Sequence, residues 1–168
     1  SPLNIYGETK LAGEQAVMSI SKSNALIIRT GWVYSEFGNN FVKPILNLAK
    51  KNDALDIVSD QFGTPTYAYN LAFLILYIIT TDKFLENNML SEILHYSNEG
   101  KSSWYDFAKE IISISGINCN LNPIGTKDYP LIAKRPNYSI LSNKKVSEEY
   151  DVKIEHWKEA LKTCLKNL

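Results

Sequence analysis

Residues 25–34, ALIIRTGWVY, form a continuous apolar run, rich in branched side chains and closing on a Gly-Trp pair. A segment that is apolar on successive positions, not alternate ones, has both faces buried, which is the signature of a strand inside a parallel sheet. The segments around it read as helices and strands in turn. Asn4 supplies an N-cap for a helix from Tyr6 to about Ser21, with Leu11, Ala12, Gln15, Ala16 and Met18 at helical spacing. After the polar SEFGNN comes a helix over about 41–51, with Pro44 in its first turn, where proline is tolerated. LDIVSD (55–60) predicts a second strand, 69–81 an apolar helix, and EILHYSN (92–98) a third strand. Ser102 or Ser103 is placed to cap WYDFAKEIISISG, which stops at Gly116. NLNPIGTKDYPLIAKRPNYSIL is proline-punctuated and reads as a short strand with a long loop, and helices over 143–150 and 155–167 follow. The order α-β-α-β-α-β-α predicts an α/β fold.

Composition narrows the function. Lys+Arg and Asp+Glu are both 18, so the 168 residues carry no net charge and lack the basic excess of nucleic-acid or membrane-surface binders. Neither nucleic acid nor membrane is expected as a partner. The longest apolar run, LAFLILYII at 71–79, is about half of a bilayer span and predicts a buried helix. Cys119 and Cys164 lack metal-ligand spacing, and His95 and His156 have no Cys or paired carboxylate nearby, so free thiols and structural histidines are expected. Free thiols suit a reducing cytoplasm, the expected location. The chain opens at Ser1-Pro2 directly into a predicted helix, which suggests a piece of something longer.

The candidate chemistry lies in that first helix. Tyr6 and Lys10 are four residues apart and share one helix face. A phenol is a poor acid–base group at neutral pH until a cation stabilises its anion, and an ammonium one turn away can do that while holding a sugar hydroxyl. The pair suits proton donation to an alkoxide formed as a hydride reaches a carbonyl. The spacing alone is weak. With ten tyrosines and sixteen lysines, about one Tyr-x-x-x-Lys arises by chance, and Tyr105 and Lys109 form a second. That second pair lies in a core pattern of Trp104, Phe107, Ile111 and Ile112, with no glycine turn to set it beside a ligand. Around Tyr6, Gly7 and Gly13 intervene. Glycine inside a helix costs about 1 kcal/mol relative to alanine, which suggests close approach by another backbone or a cofactor.

Five segments in order, SPLNIYGETKLAGE, RTGWVY, GNNF, DQFGTPT and RPNYSIL, resemble those of the dTDP-4-dehydrorhamnose reductases, a family of the extended short-chain dehydrogenase/reductase superfamily. The resemblance runs from Pro2 to about Trp157. It implies that Tyr6 is the proton donor to the sugar's C4 oxygen. Lys10 would make that proton available and bind the nicotinamide ribose. Trp32 would lie against the deoxysugar, with the Gly31 and Val33 backbone near the nicotinamide, although serine is frequent at the position of Gly31. Asn39, Asn40 and Phe41 would sit by the substrate, as would Gln61 and Thr66. Exposed amides and a helix N-terminus suit a diphosphate-linked sugar. Arg135, in the RP motif, is the expected diphosphate clamp, whereas Arg29, inside the predicted buried strand, is expected to be structural.

The resemblance further implies an α/β, Rossmann-like architecture. Residues 1–60 would supply remaining C-terminal strands and helices of that domain, and 61–168 mainly the smaller substrate-binding lobe. No G-x-x-G-x-x-G turn follows a strand. The nucleotide-binding half is therefore expected upstream of Ser1, and the fragment alone is expected to be inactive. The implied activity is reduction of the 4-keto group of dTDP-4-dehydro-L-rhamnose by NADPH or NADH, with metal dependence open. The alternatives are a nucleotide-sugar epimerase or dehydratase of the same superfamily, or a non-catalytic regulatory subunit derived from it. Exposed strand edges would also allow a homodimer.

Overall fold

The computed structural model describes residues 2–21, 25–85, 91–129 and 135–168. Helix α1 (Ile5–Ile20) begins as its sequence predicts, with the Asn4 side chain accepting from the Gly7 N–H at 2.9 Å. The apolar run that follows is two strands, not one: β1 (Leu26–Arg29) and β2 (Val33–Tyr34). The break is at Trp32, whose φ of +52° is a left-handed conformation that a strand cannot hold. Helix α2 (Val42–Ala49) follows, then β3 (Ala54–Val58), β4 (Phe62–Gly63), β5 (Thr66–Tyr67) and α3 (Ala68–Ile79). The remaining elements are α4 (Asp82–Leu85), β6 (Glu92–His95), β7 (Ser102–Ser103), α5 (Trp104–Ser115), β8 (Asn120–Ile124), α6 (Lys144–Tyr150) and α7 (Trp157–Lys166).

Three of the four strand pairs among the described residues are parallel, as the apolar run suggested: β1 with β6, β2 with β5, and β3 with β8. Only β4 and β7 run antiparallel. Two apolar clusters hold these pairs. One gathers Phe107 and Ile111 of α5 with Ile45 of α2, Trp157 and Leu161 of α7, and Tyr34 and Tyr67 from the ends of β2 and β5. The other joins Leu74 and Ile78 of α3 to Leu94, Tyr96, Val146 and Tyr150. Helix α5 is firmly delimited. Ser103 and Asp106 close a reciprocal capping box at its start, and Gly116 ends it at φ +66°.

Burial departs from the sequence reading in three places. Strand β1 is half-buried, not enclosed, and Arg29 stands at its exposed end. Helix α3 is not a buried helix: only Leu74 and Ile78 are enclosed, while Phe73 and Leu76 are 65% and 61% exposed. A run apolar on every side lacks the polar face that would reveal which stripe is covered, so its composition reads as burial throughout. Helix α1 has no fully buried residue, and Leu11 and Met18 are only half-covered. A Cβ on Gly13 would meet nothing within 4 Å, so no described backbone makes the close approach its glycine suggested.

Candidate active site

Tyr6, Lys10 and Glu14 succeed one another at four-residue spacing, so one side of α1 carries all three. The Tyr6 side is open, with 71% of the residue exposed, and the Lys10 ammonium stands 5.6 Å from its ring centroid. Glu14 fixes this side to the sheet. Its two carboxylate oxygens accept from Arg29 Nε at 2.8 Å and Nη2 at 2.6 Å. That fork holds the Glu14 carboxyl below its ordinary pKa, chiefly through the hydrogen bond from Arg29. Arg29, expected inside a buried strand, is instead an exposed tie between α1 and the end of β1. Three residues further along the chain lies Trp32.

The left-handed turn at Trp32 is held from several directions. Thr66 N–H donates to the Trp32 carbonyl at 3.0 Å, and Thr66 Oγ1 donates to the Gly31 carbonyl at 2.7 Å. The Trp32 indole stacks on Trp104, with centroids 3.5 Å apart and planes 10° from parallel. A Cβ on Gly63 would come within 2.5 Å of the same indole, so only glycine leaves room for it there. Thr66 is fully buried, and what it touches is the turn. Val33 is exposed beside it, and its strand pairs with Thr66.

Trp104 was expected in the core but stands half-buried at the first residue of α5, with Phe41 tilted against it at 4.7 Å. It borders a cavity of about 420 Å³ whose wall includes Phe41, Val58, Gln61, Tyr129 and Arg135. Gln61 is 4% exposed and fully engaged: its Oε1 accepts from the Trp104 indole N–H at 3.3 Å, and its Nε2 donates to Thr126 Oγ1 at 3.1 Å. Thr126 in turn donates its hydroxyl to Asp60 at 2.6 Å and its N–H to the same carboxylate at 3.0 Å, which holds Asp60 below the usual carboxylate range. Arg135 is exposed at the cavity edge. Its loop is anchored to β4, since Phe62 N–H donates to the Asn137 carbonyl and Ser139 N–H to the Phe62 carbonyl, both at 2.8 Å. The part of the predicted loop at 130–134 lies outside the described residues.

The GNNF segment divides. Asn39 is exposed. Asn40 is not the free amide donor its sequence context suggested, because its Nδ2 donates to the Ser35 carbonyl at 2.7 Å and its Oδ1 accepts from Val42 N–H at 3.0 Å. It closes its own loop and caps α2, as a short amide side chain does near a helix start. The second Tyr-x-x-x-Lys pair differs from the first: Tyr105 is half-buried on α5, whose neighbouring Phe107 and Ala108 are core. Sequence reasoning passed over Gly63 and placed Trp104 in the core pattern of α5, not beside Trp32. The available signal was a glycine in DQFGTPT and a tryptophan at a helix start, and neither reveals its partner until Trp32 is placed.

The RmlD substrate binding domain family matches residues 1–168. The dTDP-4-dehydrorhamnose reductase of Aggregatibacter actinomycetemcomitans is 38% identical over 168 residues, covering 96% of this chain and 56% of that protein. A crystal structure of the Clostridium acetobutylicum dTDP-4-dehydrorhamnose reductase superposes with a TM-score of 0.89 at 40% identity, over 99% of this chain and 56% of that one. The Bacillus anthracis enzyme in complex with NADP gives the same TM-score at 35% identity, again over 99% of this chain and 56% of that one. The chain spans about half the length of the curated relatives it matches.

Proposed function

Because this chain belongs to the RmlD substrate binding domain family, we propose that it supplies the substrate lobe and the proton donor of a dTDP-4-dehydrorhamnose reductase. The observation that carries this is the open side of α1, where the Tyr6 phenol and the Lys10 ammonium stand together, tied through Glu14 and Arg29 to the strand that leads to Trp32. The reaction is reduction of the 4-keto group of dTDP-4-dehydro-L-rhamnose to dTDP-L-rhamnose. NADPH or NADH, when bound, supplies the hydride that reaches C4.

The residues of this chain do the rest. Tyr6 gives its hydroxyl proton to the C4 oxygen as negative charge develops there. Lys10 stabilises the phenolate left behind, and its other donors suit the hydroxyls of the nicotinamide ribose. The exposure of both groups fits that end of the cofactor. Trp32 presents an aromatic surface to the deoxysugar, whose apolar C–H faces pack well on a ring. Gln61 forms part of the wall of the adjoining cavity, and Arg135 at its edge is the clamp for the diphosphate. Thr66 acts behind this surface by holding the Gly31-Trp32 turn. Asn39 remains available to the substrate from its exposed loop.

The test uses the complete enzyme, dTDP-4-dehydro-L-rhamnose and NADPH. Net oxidation of NADPH with formation of dTDP-L-rhamnose is expected, which separates a reductase from an epimerase, since an epimerase returns its nicotinamide oxidised. Tyr6→Phe should lower kcat by about 10²–10⁴-fold with the KM for NADPH nearly unchanged, because only proton donation is lost. Tyr105→Phe should leave turnover within about twofold. Exchanged outcomes for the two tyrosines would place the chemistry on α5.

A further inference from the structure

The stack of Trp32 on Trp104 is the end of a longer chain of contacts: Asp60, Thr126, Gln61, Trp104, Trp32. Its direction is determined at both ends. The Asp60 carboxylate only accepts, so the Thr126 hydroxyl gives it its hydrogen and must itself accept from the Gln61 amide. That turns the Gln61 carbonyl toward Trp104, whose indole N–H can only donate. Neither the hydroxyl nor the carboxamide is free to reverse. The edge of Trp104 is thereby fixed by hydrogen bonding, and Phe41 leans on it from 4.7 Å. Trp32 needs such a support: its backbone is in the left-handed region, and Gly63 leaves its ring just enough space.

We propose that Trp104 is a substrate-positioning residue, which holds the Trp32 indole in place for the sugar and joins that platform to the cavity beside Arg135. The proposal rests on the reading of Trp32 as the surface for the deoxysugar. A platform that is already ordered spares the substrate the loss of side-chain freedom on binding. A small displacement of a reactant relative to the proton donor lowers the rate of the chemical step far more than it lowers affinity. Gln61, by the same chain, acts through Trp104 in addition to forming part of the cavity wall.

The complete enzyme is compared with Trp104→Phe, which keeps an aromatic ring but loses the N–H, Trp104→Leu, which loses the stack, Gln61→Leu, and the Trp104→Phe/Gln61→Leu double variant. Turnover is measured together with binding of dTDP-L-rhamnose and of dTDP, and near-UV circular dichroism reports the coupled indoles. Trp104→Leu should lower kcat/KM for the keto sugar by about a hundredfold. It should also abolish the coupled-indole signal and weaken dTDP-L-rhamnose more than dTDP, with the KM for NADPH unchanged. Trp104→Phe and Gln61→Leu should each lower kcat/KM about tenfold, and the double variant no further than either, because both break one contact. Full retention of kcat/KM and of dTDP-L-rhamnose binding in Trp104→Leu overturns the proposal, including where thermal stability falls, since that is a packing role only. The binding comparison judges the proposal even for a wild type that binds dTDP-L-rhamnose without reducing the keto sugar, a result that would count against the reaction alone. A wild type that binds neither nucleotide overturns both.

Discussion

A Cβ added to Gly63 would lie 2.5 Å from Cε2 of Trp32, closer than side chains approach in folded proteins. The indole cannot simply swing aside, because its face rests on Trp104 and its backbone is tied to Thr66. Gly63→Ala should therefore cost about 1–3 kcal/mol, the range for overpacking, and weaken the coupled-indole signal in near-UV circular dichroism. Gly31 is the instructive contrast. A Cβ there meets nothing within 4 Å, so Gly31→Ser should leave stability within about 0.5 kcal/mol and the signal intact. Denaturant midpoints for the two variants check both statements, and equal midpoints would mean that the Trp32 ring moves freely. Gly31 sits in the RTGWVY segment and Gly63 in DQFGTPT, but sequence alone treats them alike. Their difference arises from a ring contributed by a residue 31 positions away from Gly63, which no local pattern encodes.

Helix α1 shows what local patterns do encode. Its cap at Asn4, its extent and the shared face of Tyr6 and Lys10 were all legible, since each depends on residues within a turn or two. Its attachment was not, because Glu14 and Arg29 belong to different elements and Arg29 read as part of a buried strand. That misreading has a physical cause: the run 25–34 is apolar enough to be one enclosed strand, and only the left-handed Trp32 divides it. The ion pair is exposed and is worth at most about 1 kcal/mol to overall stability, so its effect should be local. Glu14 has a lowered pKa in the folded chain, so its contribution is present above the ordinary carboxylate range and is lost as pH falls through the folded value. The protection of α1 amides, relative to their intrinsic exchange rates at each pH, should accordingly fall on acidification below about pH 4.5 before that of the core formed by α5 and α7 is affected. Glu14→Gln should show the lower α1 protection already at neutral pH. Unchanged protection of α1 in that variant would mean the helix is held by its half-buried Leu11 and Met18 instead.

Across the whole molecule, the two apolar clusters differ in how well they are covered. The one around α5 is enclosed by α2, α7 and the strand ends, whereas α3 encloses only Leu74 and Ile78, half-covers Leu71, and leaves Phe73, Ile75, Leu76 and Tyr77 at least 40% exposed. Exposed apolar patches of contiguous large side chains mark surfaces that another polypeptide covers or that associate when left bare. The reductases this chain resembles are about twice its length, and a protein of that length has additional chain available to cover α3. The 168 residues produced alone should therefore bind the dye ANS and sediment as self-associated species at micromolar concentration. Phe73→Glu combined with Leu76→Lys should suppress both effects without unfolding the chain, because neither side chain belongs to a cluster. In the complete enzyme the same pair of substitutions should instead destabilise, since burying two charges is costly even where they can pair at i,i+3. A substitution that solubilises the short chain and harms the long one would identify α3 as an internal face. Indifference in the complete enzyme would show that this helix meets solvent there too.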